Sequence, residues 1–599
     1  FSKLNSFQDV VLCNVTPSRI VNLTQGPVRG YKDKNLDVFV FYGIPYATAP
    51  TGQDKFKAPL PPPIWNEIFE AVDRKVICPQ SNFFHIITNQ KITTLIPIED
   101  CLVANVYVPE TIEDKLPVVV FVHGGAFSVG WGDLFTPKKV VSSKRIIAVT
   151  FNYRLGAHGF LCLGTKDVPG NAGMKDQVAL LRWVEENIVS FGGNPHDVTI
   201  SGYSAGSTAV DLLSISQMAV GLFKKVIPES GSNTASLGCQ SDPIKQAKIY
   251  AKMLNFHNVD DFDALEDFYK TVPIEILNSA DPVNRTDSLI LMTPCVERDV
   301  GEERFLEDSP VNVLKSGDFP KYRMLYGFSD KEGSMRIMFF DSWKHLMNEK
   351  FSNFLPSDLE FKDEKEREAV ANRIRRFYFG DDLIGNEHIL PYVDLFSDIF
   401  FVYPMLRTVK YQVQAGNDQI YLYEYSYVEA DTPVIPYTTV RGAPHCAQTA
   451  TFFDGLWDGI EEDEKRISLE KQELKKFIRE IWLNFITTGK PTATNLPNWP
   501  PVGADWSPYM ALNKTVQLMS HPIKERALLW DSIYDKYYRY PVASFAILGK
   551  DQSLLNSMRI IYFVNSLNFA NKIFFLSQPA VFIIRTLIFY SQDIKLEIP

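Results

Sequence analysis

The short apolar run Val198-Thr199-Ile200-Ser201 passes directly into Gly202-Tyr203-Ser204-Ala205-Gly206 and then into Ser207-Thr208-Ala209-Val210-Asp211-Leu212-Leu213. This order predicts a strand, a tight turn and a helix. A residue at the apex of such a turn takes an unfavourable backbone conformation, so its neighbours two positions away must be small for strand and helix to approach. The free N–H groups at the helix start then face any negative charge that develops beside Ser204. G-x-S-x-G is nevertheless a short pattern, and by itself it equally describes a serine between two turn glycines. The rest of the chain has to decide.

Two more apolar runs without alternation precede the turn, Leu116 to Val122 (LPVVVFV) and Arg145 to Phe151 (RIIAVTF). Between the second of these and the turn, Gln177 to Phe191 carries apolar residues three and four apart, the spacing of a helix with one buried stripe. Unalternated strands separated by amphipathic helices predict a parallel sheet covered on both faces. Tyr322 to Gly327 and Gln419 to Tyr425 read as further strands, and Glu470 to Phe485 as a long amphipathic helix. The predicted class is α/β. With the strand–turn–helix around Ser204 it becomes an α/β-hydrolase fold, a large, mostly parallel central sheet flanked by helices. At 45% apolar and 13% aromatic residues, the 599-residue chain can fill so large a core. Its net charge of −10 argues against a nucleic-acid partner, whose phosphates need a basic surface.

A serine hydroxyl is inert at neutral pH unless a base takes its proton and a third group orients that base. In this fold the chain order is serine, acid, histidine. Four histidines follow Glu332, namely His345, His388, His445 and His521. His345 and His388 sit among helix formers, whereas His445 lies in the Gly- and Pro-containing stretch Arg441-Gly-Ala-Pro-His-Cys446, where catalytic loops are found. Glu332 follows the strand ending near Gly327, but Asp330 lies two residues before it, and spacing alone leaves both open as the acid. His123-Gly124-Gly125-Ala126, directly after LPVVVFV, matches the loop that offers N–H groups to an oxyanion, although Gly-Gly also marks ordinary turns. Loop, serine, acid and base in the required order point to acyl transfer. Such chemistry needs no metal and no cofactor.

The seven cysteines, Cys13, Cys78, Cys101, Cys162, Cys239, Cys295 and Cys446, show no C-x-x-C spacing, and their odd number leaves at least one free thiol. Sequons at Asn14, Asn22, Asn284 and Asn513 are compatible with a secreted glycoprotein. The chain starts at Phe1 without an apolar leader, so a mature, secreted form is expected. Residues 1–545 are expected to form the catalytic domain and residues 546–599 a tail of different character, rich in Ile, Phe, Leu, Asn and Lys. Within the tail, Ile573 to Ile584 is uncharged but is bracketed by Lys572 and Arg585, interrupted by Pro579 and short of the ~20 residues needed to span a bilayer. Membrane contact through this tail is therefore not favoured. The oligomeric state is not fixed by the sequence.

Further stretches carry a family resemblance. They are Phe41-Tyr-Gly-Ile-Pro-Tyr-Ala47, Glu99-Asp-Cys-Leu-Val-Ala-Asn-Val-Tyr107, Asn152-Tyr-Arg-Leu-Gly-Ala-His-Gly-Phe160, Gly170-Asn-Ala-Gly-Met-Lys-Asp-Gln177 and Phe191-Gly-Gly-Asn-Pro195, with Trp482-Leu-Asn-Phe485, Gly489-Lys-Pro491 and Trp530 near the end. On these residues the chain resembles the carboxylesterase/cholinesterase family (type-B carboxylesterases), from about residue 18 to 535, and most of all the insect carboxylesterases. The resemblance implies hydrolysis of a small carboxylic ester with Ser204 as nucleophile, His445 as base and Glu332 as acid. It also implies oxyanion donors at the N–H groups of Gly125, Ala126 and Ala205, and a disulfide between Cys78 and Cys101.

The departures from the family pattern matter too. Tyr203 stands where many members carry Glu, and Ala126 replaces the third glycine of the oxyanion loop. Lys55 replaces an Arg and is expected to make a point-charge contact at best. The usual short second cysteine loop is missing, which leaves Cys239 and Cys295 as the candidate long-range pair. Cys446 reads as a small buried hydrophobe. No Trp lies between Cys78 and Cys101, which speaks against a cholinesterase. Retention of serine, acid and histidine speaks against a non-catalytic adhesion protein. Juvenile hormone esterase-like and odorant- or pheromone-degrading activities remain as alternatives, the former weakened because Tyr203 stands where those enzymes typically carry Gln. Dietary and xenobiotic esters are equally open.

Overall fold

The computed structural model describes residues 16–81, 95–280, 285–430, 432–453 and 468–544. The chain divides into two units, Phe1–Ala546 and Ile547–Pro599, and the described residues all fall in the first. The tail, Asn14 and Asn284 lie outside the described residues.

The strands that build the sheet are β1 (Ser18–Leu23), β2 (Gly26–Lys32), β3 (Val38–Pro45), β4 (Val103–Pro109), β5 (Leu116–Val122), β6 (Ile147–Phe151), β7 (Gly193–Tyr203), β8 (Lys225–Glu229), β9 (Arg323–Ser329), β10 (Ile420–Tyr425), β11 (Tyr509–Leu512) and β12 (Gln517–Met519). They follow one another across a thirteen-stranded sheet as β1-β2-β3-β4-β6-β5-β7-β8-β9-β10-β11-β12, with the short strand Phe69–Glu70 beside β2. From β6 to β11 every neighbouring pair is parallel, while the pairs toward β1 and the β11–β12 pair are antiparallel. The α/β class and the mostly parallel sheet are as the sequence predicts. Each of the five runs read as strands falls on a parallel strand, from β5 to β10.

Alternate residues of β5 show why those runs lack alternation. Val118, Val120 and Val122 join one core with Val178 and Leu181 of helix α1 (Ala172–Asn187) and with Ala209 and Val210 of helix α2 (Ala205–Leu213). Val119 and Phe121 enter a second core instead. Both faces of the strand are thus covered, so both sets of side chains must be apolar. Two further helices, α3 (Ile389–Ser397) and α4 (Tyr403–Gln414), are joined through a π-helical turn at Asp398–Val402. The run Asn386–Gln414 that contains them is apolar enough to cross a membrane, but 83% of its apolar window is buried in the protein. It serves as a core element. Helix α5 (Ala447–Phe452) follows the loop of His445, and α6 (Leu469–Thr488) carries Trp482 and Phe485 into the second core.

Cys78 and Cys101 are joined, and a second disulfide joins Cys162 to Cys295 across 133 residues. The expected Cys239–Cys295 pair is therefore corrected, because Cys239 is a buried free thiol. Local packing accounts for the choice. Gly170 has a φ of +107°, and a Cβ there would lie 2.7 Å from the sulfurs of both Cys162 and Cys295. The adjoining Asn171 side chain accepts from the Cys295 N–H at 2.8 Å and donates to its carbonyl at 2.8 Å. A glycine and an asparagine thus shape the space that seats the bridge.

Candidate active site

The carboxyl ends of the parallel strands form the usual crevice of open α/β sheets, and three of these ends bring Ser204, Glu332 and the oxyanion loop together. Ser204 leaves β7 with φ 56° and ψ −126°, a strained conformation for a residue with a side chain. Its N–H donates to the Glu229 carbonyl at 2.9 Å, and its carbonyl accepts from the Thr208 N–H at 3.1 Å. A Cβ on Gly202 would come 2.2 Å from the Gly206 carbonyl oxygen, and one on Gly206 would come 2.2 Å from that of Val122. The two glycines of G-x-S-x-G are thus required by backbone contact.

His445 arrives on the loop after β10. Its Nε2 lies 2.8 Å from Ser204 Oγ and its Nδ1 2.5 Å from Glu332 Oε2. Glu332 is fully buried after β9, and its second oxygen accepts from the Ser329 N–H at 2.7 Å. With the Nδ1 proton directed at Glu332, Nε2 is the lone-pair nitrogen that faces the serine. Asp330, the competing carboxylate, accepts instead from the Ala443 N–H at 2.8 Å, while the Lys331 N–H donates to the Ala443 carbonyl at 3.1 Å. It anchors the loop that carries His445. His345 is exposed, and His388 lies in a 3-10 turn where its Nδ1 accepts from the Gly385 N–H at 3.1 Å.

The loop after β5 has positive φ at Gly125 (113°) and at Ala126 (53°). A Cβ on Gly125 would meet the Val129 carbonyl oxygen at 2.0 Å. Among the described residues the N–H groups of Gly125, Ala126 and Ala205 meet no protein acceptor. Burial lowers the pKa of His123 to about 4, so its ring is neutral and its Nδ1, 2.8 Å from the Gly124 carbonyl, donates to it. Tyr153 stacks on the same ring at 4.3 Å and its hydroxyl donates to the His123 carbonyl at 2.9 Å. The loop is thereby fixed from behind.

A cavity of about 240 Å³ opens over Ser204 and His445. Its wall is largely apolar, from Leu134, Leu237, Ile290, Phe400 and Phe401, with Ala126 in the oxyanion loop. Tyr203, in place of the family's acid, lines it and packs edge-on against Phe135 at 5.0 Å. Cys446, expected as a buried hydrophobe, is only partly buried and lines the same cavity. Lys55 is buried and donates to the carbonyls of Lys270 (3.0 Å) and Val272 (2.8 Å) in place of the expected charge contact. Three neighbours of the site carry no readable sequence signal. Glu229 is buried under Ser204, its carboxyl accepting from Tyr423 Oη at 2.9 Å, and burial raises its pKa to about 8. Arg336, 2% exposed, sits in the cavity wall with its guanidinium 4.7 Å from the Phe400 ring. Phe401 stacks on His445. Among the described residues no group of three or more His, Cys, Asp or Glu side chains is placed to hold a metal.

Fold and site together define a serine hydrolase scaffold of the α/β type. The sequence model of the carboxylesterase family matches residues 17–530, so the chain belongs to that family and is a carboxylic ester hydrolase. Juvenile hormone esterase of Heliothis virescens is 31% identical over 510 residues, 81% of this chain and 88% of that protein. Esterase FE4 of Myzus persicae is 29% identical over 572 residues, 91% of this chain and 96% of that protein. The crystal structure of juvenile hormone esterase from Manduca sexta, with OTFP covalently attached, superposes with a TM-score of 0.75 at 27% identity, covering 87% of this chain and all of that one.

Proposed function

We propose that Ser204, His445 and Glu332 carry out the ester hydrolysis through an acyl-enzyme. The supporting observation is the continuous contact from Ser204 Oγ to His445 at 2.8 Å and from His445 to Glu332 at 2.5 Å. Ser204 Oγ attacks the ester carbonyl while His445 Nε2 takes its proton, and buried Glu332 stabilises the imidazolium through Nδ1–H. The N–H groups of Gly125, Ala126 and Ala205 receive the oxyanion. His445 then returns the proton to the leaving alcohol, and water repeats the sequence on the acyl-enzyme. Ser204→Ala is expected to lower kcat on p-nitrophenyl acetate by at least about 10³-fold with the melting temperature preserved. Turnover at the wild-type rate by the folded variant would exclude this mechanism.

The favoured substrates are small lipophilic esters, since the cavity of about 240 Å³ is walled mainly by apolar side chains. Juvenile hormone esterase-like specificity is the second reading, favoured by relatives of that name and opposed by Tyr203. Relative kcat/KM across acyl and alcohol chain lengths separates the two. An extracellular location fits the two disulfides, which persist in oxidising compartments.

A further inference from the structure

The π-helical turn Asp398–Val402 interrupts an otherwise α-helical run, and two consecutive residues of that turn, Phe400 and Phe401, both reach the cavity wall. Such turns often occur at functional sites because the extra residue re-aims side chains. Here Phe401, 3% exposed, places its ring 4.2 Å from the His445 ring at an interplanar angle of 30°. Phe400 turns instead to Arg336. Both nitrogens of His445 are already engaged in the ring plane, by Ser204 and Glu332. Those contacts do not stop the ring from tilting out of its plane, and the aromatic face of Phe401 opposes that motion.

We propose that Phe401 is a positioning residue for His445, holding the imidazole in the plane shared by Ser204 and Glu332 and presenting its π face to the imidazolium formed when the serine proton is taken. The proposal rests on the roles assigned above to Ser204, His445 and Glu332. An aromatic face attracts a cation, most strongly in a desolvated site. It therefore favours the protonated ring over the neutral one. The charged or titratable groups around His445 are Glu332 on Nδ1, Asp330 and Lys331 in the same loop, Cys446 beside it, Glu229 beneath the site, and Tyr203 and Arg336 in the cavity wall. None is altered by a change at Phe401.

The test is Phe401→Leu, which keeps an apolar side chain but removes the π face, beside Phe401→Tyr, which keeps it. With p-nitrophenyl acetate, Phe401→Leu should lower kcat about 3- to 30-fold with little change in KM. The acid limb of its kcat/KM profile should move about 0.5 to 1 pH unit lower, and Phe401→Tyr should restore both. Phe401→Met, flexible enough to fill an irregular space, carries the same expectation should the Leu variant not fold. An unmoved acid limb with a change in KM alone would make Phe401 a mere cavity wall and overturn the proposal. So would equal damage in the Leu and Tyr variants. If Ser204→Ala stays fully active, the underlying mechanism fails. If it is inactive while Phe401→Leu behaves as wild type, only the role of Phe401 fails.

Discussion

Asp330 and Glu332 stand two residues apart on one turn, yet their surroundings give them different roles. Glu332 is fully buried with one oxygen on His445 and the other on the Ser329 N–H, whereas Asp330 spends an oxygen on the backbone of the histidine loop. Glu332→Gln leaves an amide facing Nδ1, which no longer favours the productive tautomer or the imidazolium. Its kcat should fall by about 10²- to 10⁴-fold. Asp330→Asn keeps an acceptor for the Ala443 N–H and should cost less than about tenfold. Steady-state kinetics on one small ester compares them, and greater damage from the Asp330 change would transfer the acid role. Spacing left these carboxylates open because the deciding contact spans 113 residues. The turn at Ser204 and the glycine loop after β5 were legible as candidates from local chemistry, but only their order along the chain with Glu332 and His445 pointed to acyl transfer. Cys162, by contrast, gave no local sign of its partner, because its pairing depends on Gly170 and Asn171 packing around a distant segment.

At the level of elements, β7, the turn at Ser204 and α2 behave as one piece. Gly206 has no room for a methyl group, since its Cβ would lie 2.2 Å from the Val122 carbonyl oxygen of β5, a backbone atom that cannot swing away. Gly206→Ala should therefore destabilise the fold by about 1–3 kcal/mol and also lower kcat, because the same shift displaces Ser204. Thermal melts alongside initial rates test this, and an unchanged melting temperature with full activity would show that the approach is looser than described. The central strands were legible because burial on both faces forces continuous apolar runs, and α6 and the later half of α1 because exposed residues recur there with a period near 3.6. The π turn was not. It changes one hydrogen-bond register inside a run that stays mainly apolar on both sides of Asp398, so its composition matches that of a core helix.

At the scale of the molecule, several carboxyls are so deeply buried that desolvation outweighs their partners, Asp398 even with Arg526 Nε 3.3 Å away. Burial raises the pKa of Glu229 to about 8, and those of Asp211 and Asp398 to about 7. An unfolded Glu titrates near 4.3, so the folded state binds this proton more tightly than the unfolded state. The resulting stabilisation is complete below about pH 4 and is lost as pH rises through about 8. The melting temperature should accordingly fall between about pH 4 and 8, and Glu229→Gln should flatten the part of that fall between about pH 7 and 8. Equal slopes in both proteins would show that Glu229 is already ionised in the fold. That the chain hydrolyses esters is fixed by its family; which atom carries the acyl group is the point on which the mechanism stands. Peptide mapping by mass spectrometry after treatment with a fluorophosphonate reads that atom. One phosphonyl group per chain is expected on Ser204, formed far more slowly in His445→Ala and not at all in Ser204→Ala. A stoichiometric adduct on any other residue, with esterase activity lost in step, would contradict the mechanism.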